Sequence, residues 1–162
     1  MIDLPALPTT PAIRRSDDLA AALALARAAH LEIAATPSNP LALWGAFDDD
    51  RMVGTVSLDR CGGLPVVGRI AVEDGYRRLG LGRRLLGAAE DEAKNRGQTA
   101  LWATARAPDF FTAMGYVVVE EGPKRALLLA DCAQCERFGR DCHPEAVRKT
   151  LDPARRAAGQ AP

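Results

Sequence analysis

The run Arg77-Arg78-Leu79-Gly80-Leu81-Gly82, followed at once by Arg83 and Arg84, is suited to holding an oxyanion. Glycines let backbone come close to a ligand, and the first N–H groups of a helix starting there would point at it. Guanidinium groups match phosphate oxygens bidentately. Four cations in a first helical turn each lose about 0.3–1 kcal/mol when no anion is bound, so an anion would resolve the conflict. A solvated tight turn is the plainer alternative.

A second group of chemistry-bearing residues is Cys132, Cys135 and Cys142, within eleven residues. A Cys-x-x-Cys pair has spacing suited to zinc, and Cys142 could supply a third thiolate. His143 is adjacent to Cys142 and so sterically awkward as a fourth ligand. The alternative is free thiols that pack the C-terminus or pair on oxidation. Arg69 and Arg106 could hold a carboxylate, with a simple surface role the equal alternative.

The elements that would position these groups follow from the periodicity. Ser16-Asp17-Asp18 reads as a helix start, and Leu19, Leu23, Ala26 and His30 predict a helix over 17–30. Residues 1–12, with three prolines, read as an extended lead-in. Thr36-Pro37-Ser38-Asn39-Pro40 breaks the chain. Residues 41–47 and 52–58 form a hairpin pattern around Asp48-Asp49-Asp50-Arg51, and Cys61-Gly62-Gly63 turns into a third strand over 66–72. Alternation in that strand puts Arg69 on the face of Val67 and Ala71 and opposite Ile70.

From Gly80 the period becomes helical, with Leu81, Leu85, Ala88, Ala89 and Ala93 on one face and Gly97 at the C-terminal cap. A strand over 99–104, a helix over 108–114 and strands over 116–119 and 125–129 follow. A short helix over 144–151 precedes a fraying Ala, Arg and Pro tail. The order predicts a mixed α/β domain and not a doubly wound one. Residues 1–130 read as the domain, 131–152 as a Cys-rich extension packed on it, and 153–162 as a flexible tail.

The 162 residues suffice for one domain burying about two-thirds of its surface. The 48% hydrophobic and 26% charged content excludes a disordered chain. Zero net charge, with few aromatic residues, argues against nucleic acid or an anionic membrane surface as partner. The longest apolar stretch, residues 19–33, carries Arg27, His30 and Glu32 and is too short to span a bilayer. With no secretory pattern at the N-terminus, the expected compartment is the cytoplasm.

Three motifs in order resemble the GNAT superfamily of acyl-CoA-dependent N-acetyltransferases: Arg77 to Gly82, the preceding Ile70-Ala71-Val72, and Ala107-Pro108-Asp109-Phe110-Phe111-Thr112-Ala113-Met114-Gly115-Tyr116. The resemblance spans residues 12–130. It implies a central mixed, mostly antiparallel sheet flanked by helices, with strands splayed at an acyl-CoA cleft. It also implies acetyl-CoA as cosubstrate, a small amine as acceptor, and leaves room for a homodimer. By the resemblance, the backbone of Ile70, Ala71 and Val72 pairs with the pantetheine arm. The amides around Arg78, Leu79, Gly80, Leu81, Gly82 and Arg83, with the Arg77, Arg78 and Arg83 side chains, hold the pyrophosphate.

The C-terminal cysteines and the Phe110-Phe111 pair narrow the resemblance to short N-acetylglutamate synthase-like, amino-acid N-acetyltransferases, which makes an amino acid such as glutamate a candidate acceptor. The sequence departs from that group by an extra residue before Cys142 and by His143-Pro144 before Glu145. Many members place a glutamate on the strand before the signature, where this chain has Val66-Val67-Gly68-Arg69. Many have a tyrosine on the late helix, where Phe111 stands. Glu73 and Tyr116 are the nearest substitutes, and both read more naturally as structural. No general base or acid is therefore assignable, and a non-catalytic acyl-CoA sensor or interaction module is the rival reading.

Overall fold

The computed structural model describes residues 10–31 and 39–153. Most of the proline-rich lead-in, the Thr36-Pro37 break and the tail from residue 154 lie outside the described residues.

The elements run β1 (Ala12–Arg15), α1 (Leu19–Ala28), β2 (Ala42–Asp48), β3 (Arg51–Cys61), β4 (Leu64–Val72), a 3-10 turn (Asp74–Leu79), and α2 (Leu81–Asn95). They continue with β5 (Ala100–Ala105), α3 (Pro108–Ala113), β6 (Val117–Val118), α4 (Pro123–Leu128), α5 (Ala130–Ala133) and β7 (Glu145–Thr150). The strands form one sheet in the order β1-β2-β3-β4-β5-β7-β6. All neighbours are antiparallel except β4 and β5.

Apolar periodicity sets the layers. Leu81, Leu85, Leu86, Ala89 and Ala93 of α2 are buried against Ala42, Trp44, Ala46, Val56, Leu58 and Val67 of the sheet, with Phe111 and Tyr116 beside them. The opposite face is covered in two places. Ala22 of α1 packs on Leu43 and Met52, and Leu128 of α4 packs on Val66 and Trp102. Asp18 caps α1 by accepting from the Ala21 N–H at 3.0 Å. Gly97, at φ +77°, ends α2. The Gly97 N–H donates to Lys94 O at 2.9 Å and the Gln98 N–H to Ala93 O at 3.0 Å, a paired C-terminal cap.

Four sequence expectations need correction. The lead-in ends in an edge strand, β1, because residues 12–15 find an antiparallel partner in β2. Residues expected as a strand over 125–129 lie in α4 and its cap instead. Pro123 at the first helical position sets the turn, and Arg125 anchors it by donating to Val119 O and to Glu145 Oε2. Residues expected as a helix over 144–151 form β7, which pairs with both β5 and β6. Two-sided ladder pairing outweighs the weak helical propensity of a six-residue segment.

The fourth correction concerns faces. Val67, Ile70 and Val72 all pack toward α2, which simple alternation forbids. The pairing between β3 and β4 shifts between Val56 and Leu58, so Ser57, Gly68 and Arg69 sit at a bulge. Val67 therefore faces away from Arg69, and only Ala71 shares its side.

Candidate active site

The parallel pairing of β4 with β5 consists of Val66 opposite Trp102 and Val67 opposite Ala103. Pairing of β4 with β3 continues to Val72. Beyond Val67 the two parallel strands have therefore parted, and the β5-side edge of Gly68 to Val72 opens into a cleft. An unpaired strand edge is a template for an extended, amide-bearing ligand.

At the end of this edge the chain turns through the 3-10 segment into α2. Gly80 takes φ +73° as the residue before the helix, a conformation that costs a residue with a Cβ about 1–2 kcal/mol. Among the described residues no side chain caps α2, so its first N–H groups are left for an outside acceptor. Phe110 of α3 packs beside Gly82 at the helix start, where a Cβ would come into ordinary contact with the ring at 3.4 Å.

The arginines divide. Arg77 donates to Val72 O at 3.2 Å and pairs with Asp74 at 3.1 Å. Arg84 donates to Pro11 O at 3.1 Å and so ties β1 to α2. Arg78 and Arg83 are exposed and make no ion pair among the described residues. Two free guanidinium groups beside an uncapped helix start fit a polyphosphate.

Neither nearest substitute for the missing acid and base is free for chemistry. Glu73 accepts twice from Arg51, at 2.8 and 3.0 Å, and Arg51 also donates to Tyr76. Tyr76 donates in turn to Asp48. Tyr116 is 2% exposed and donates to Glu90 Oε1 at 3.1 Å, while Lys149 Nζ lies 3.2 Å from both Glu90 oxygens. Burial first, and then the Glu90 carboxylate, push the Tyr116 phenol far above its ordinary pKa. Phe111 stacks edge-on against Phe110 and Tyr116, with ring centroids 5.3 and 5.2 Å away. This aromatic and Glu90 cluster locks α2 to β7 and α3.

On the face opposite α2, the sheet has polar groups without partners. Asp59 Oδ1, Arg69 Nη1 and Trp102 Nε1 are buried and lack a hydrogen bond among the described residues. Asp59 lies opposite Val66 and Val66 opposite Trp102, while Arg69 sits further along β4 at the bulge and acts on Asp59 electrostatically. Sequence reasoning passed over Asp59, because an acid before a turn reads as ordinary turn chemistry. Arg106, the second expected carboxylate binder, extends from the end of β5 and donates to Ala29 O and His30 O. It caps the C-terminal end of α1 and fixes that helix beside the cleft.

The cysteine segment is a series of turns. Cys135 N–H donates to Cys132 O at 2.9 Å, Cys142 N–H to Arg137 O at 3.1 Å, and Arg137 pairs with Asp141 at 3.3 Å. All four cysteines are free thiols. Burial, then the neighbouring Cys142, Cys135 and Asp131, raise the Cys132 thiol, which favours its neutral form. Among the described residues no group of three or more His, Cys, Asp or Glu could hold a metal ion. The expectation of zinc at Cys132, Cys135 and Cys142 is thus unsupported.

An opened parallel strand pair beside an uncapped, basic helix start defines a transferase fold that takes its group from a phosphate-bearing carrier. The model of the acetyltransferase (GNAT) family matches residues 12–116, and the chain belongs to that family: it is an acetyl-CoA-dependent N-acetyltransferase. It is similar to a structure from Lactobacillus plantarum assigned as an N-acetyltransferase, at 25% identity and TM-score 0.64, covering 88% of this chain and 99% of that one. It is also similar to N-acetylglutamate synthase of Neisseria gonorrhoeae in complex with coenzyme A and N-acetyl-glutamate. That match has 20% identity and TM-score 0.67, and covers 89% of this chain but 36% of the synthase. A third, Rv2747 of Mycobacterium tuberculosis in complex with CoA, has 16% identity and TM-score 0.65 over 87% of this chain and 99% of that one. Likeness at these last two identities concerns the fold. No helix among the described residues is long and apolar enough to cross a membrane.

Proposed function

We propose that the acceptor is a small primary amine bearing a carboxylate, an amino acid such as glutamate, bound on the sheet face opposite α2. The observation that carries this reading is the buried Arg69 Nη1, which has no partner among the described residues. A buried guanidinium nitrogen left unmatched costs free energy that a substrate carboxylate would recover. Arg106 shapes the wall by holding the end of α1.

On the donor side, Ile70, Ala71 and Val72 offer backbone groups to the pantetheine amides. The first amides of α2, from Leu81 to Arg83, receive the pyrophosphate, with the Arg78 and Arg83 side chains closing on it and Arg77 bracing the turn. Leu79 and Gly80 keep the loop open and exposed. Acetyl-CoA supplies the acetyl group as a thioester. The protein's contribution is to align the acceptor nitrogen with that carbon.

A thiol-release assay over amino acids, their decarboxylated amines and spermidine tests the reading. Amino acids should turn over best, and Arg69→Met should lower kcat/KM for them by ~10–100-fold, the worth of a hydrogen bond to a charged group. Amines without a carboxylate should lose less, so the ratio of kcat/KM between amino acids and such amines should fall by at least about tenfold in the variant. A preference for amines lacking a carboxylate would overturn the reading.

A further inference from the structure

A Cβ built on Gly68 would lie 1.9 Å from Asp59 Oδ2 and 2.4 Å from Ser57 Oγ. The carboxylate of β3 thus fills the space that a side chain on β4 would take at position 68. That position is the first residue beyond the paired part of β4 and β5, at the apex of the cleft. The Arg69 N–H donates to Ser57 Oγ at 3.1 Å, which fixes the bulge that makes this placement. Among the described residues Asp59 Oδ1 is buried and without a partner, one strand from the equally unpartnered Arg69 Nη1.

We propose that Asp59 is the proton acceptor for the acceptor amine, a carboxylate delivered from β3 to the place where β4 carries none. The inference rests on the acceptor-amine reading above. Asp59 takes one proton from the substrate ammonium, and the neutral nitrogen forms a C–N bond to the thioester carbonyl carbon. The C–S bond breaks, the second N–H proton passes to the departing sulfur, and Asp59 returns its proton to solvent. The groups around Asp59 suit this work. Burial raises its carboxyl above the ordinary range, while Arg69 from β4 and Ser57 from its own strand pull it down. Other charges on this face are Lys124 of α4 and Arg148 of β7, which stand over the Trp102 ring at 5.5 and 5.7 Å, and Asp131 of α5, which acts on Cys61.

The test pairs kinetics with titration. Asp59→Asn should lower kcat/KM by ~100–1000-fold, as loss of a general base does, while the affinity for CoA stays within about twofold. The acidic limb of the wild-type kcat/KM profile should fall above the ordinary carboxylate range and vanish in the variant. The Asp59 carboxyl carbon, followed by NMR in the wild type, should titrate with that limb. The double variant Asp59→Gly/Gly68→Asp, which moves the carboxylate onto β4, should regain at least about tenfold of the lost activity, a part of the general-base contribution. If Asp59→Asn keeps its activity within about threefold with the limb unchanged, Asp59 is not the base. If amines lacking a carboxylate are preferred yet Asp59→Asn still abolishes their turnover, the amino-acid reading falls and Asp59 stands.

Discussion

Tyr116 shows how a single residue's neighbours decide its role. Its position near the late helix invites assignment as the acid that protonates the leaving sulfur. Its hydroxyl instead donates to Glu90, in a cluster completed by Lys149. Tyr116→Phe should therefore lower stability by ~1 kcal/mol, the net worth of one hydrogen bond, and change kcat less than about twofold, since the phenol takes no part in proton transfer. Denaturant titration and steady-state kinetics on the same preparation separate the two. Arg77, Arg78, Arg83 and Arg84 are one motif in the sequence, but two act as braces and two make no ion pair among the described residues. The arginine run was legible because local spacing alone makes it. Asp59 was not, because its significance lies in a strand nine residues later.

Among the elements, α2 was the most legible, since its apolar stripe and its terminal glycines are local properties. The cap at Gly97 carries a testable consequence. A Cβ there would meet nothing within 4 Å, so only the left-handed backbone, φ +77°, opposes substitution. Gly97→Ala should lower the unfolding free energy by ~1–2 kcal/mol, read from the denaturant midpoint at unchanged slope. The elements after Tyr116 were the least legible. Residues 123–128 and 145–150 are each six residues long, too short for periodicity to outvote their surroundings. Whether such a segment coils or pairs depends on the ladder it is offered, and the partners of 145–150, β5 (Ala100–Ala105) and β6 (Val117–Val118), lie well back in the chain. The bulge at Gly68 was hidden for the same reason, since it exists only in the register between two strands.

At the scale of the whole molecule, the donor site as proposed joins β4, α2 and α3, so filling it should stabilise the fold. At CoA concentrations of 100 times its Kd the gain is ~2.7 kcal/mol, which for a chain of this size raises Tm by ~5–10 °C. In Arg78→Ala/Arg83→Ala the rise at the same CoA concentration should shrink by at least about half, because the lost phosphate contacts raise Kd. A thermal melt with and without CoA measures both. An equal rise in the double variant would remove these arginines from the site. By itself the sequence determined the arginine-glycine run, the helix that follows it and the family it resembles, because each depends on residues close together in the chain. The tertiary structure decided which of these arginines pair among the described residues, that Tyr116 and Glu73 hydrogen-bond elsewhere, that β7 joins the sheet, and that Arg69 acts electrostatically on Asp59 from the neighbouring strand. Those outcomes depend on strand register and burial, and both are properties of contacts between distant segments.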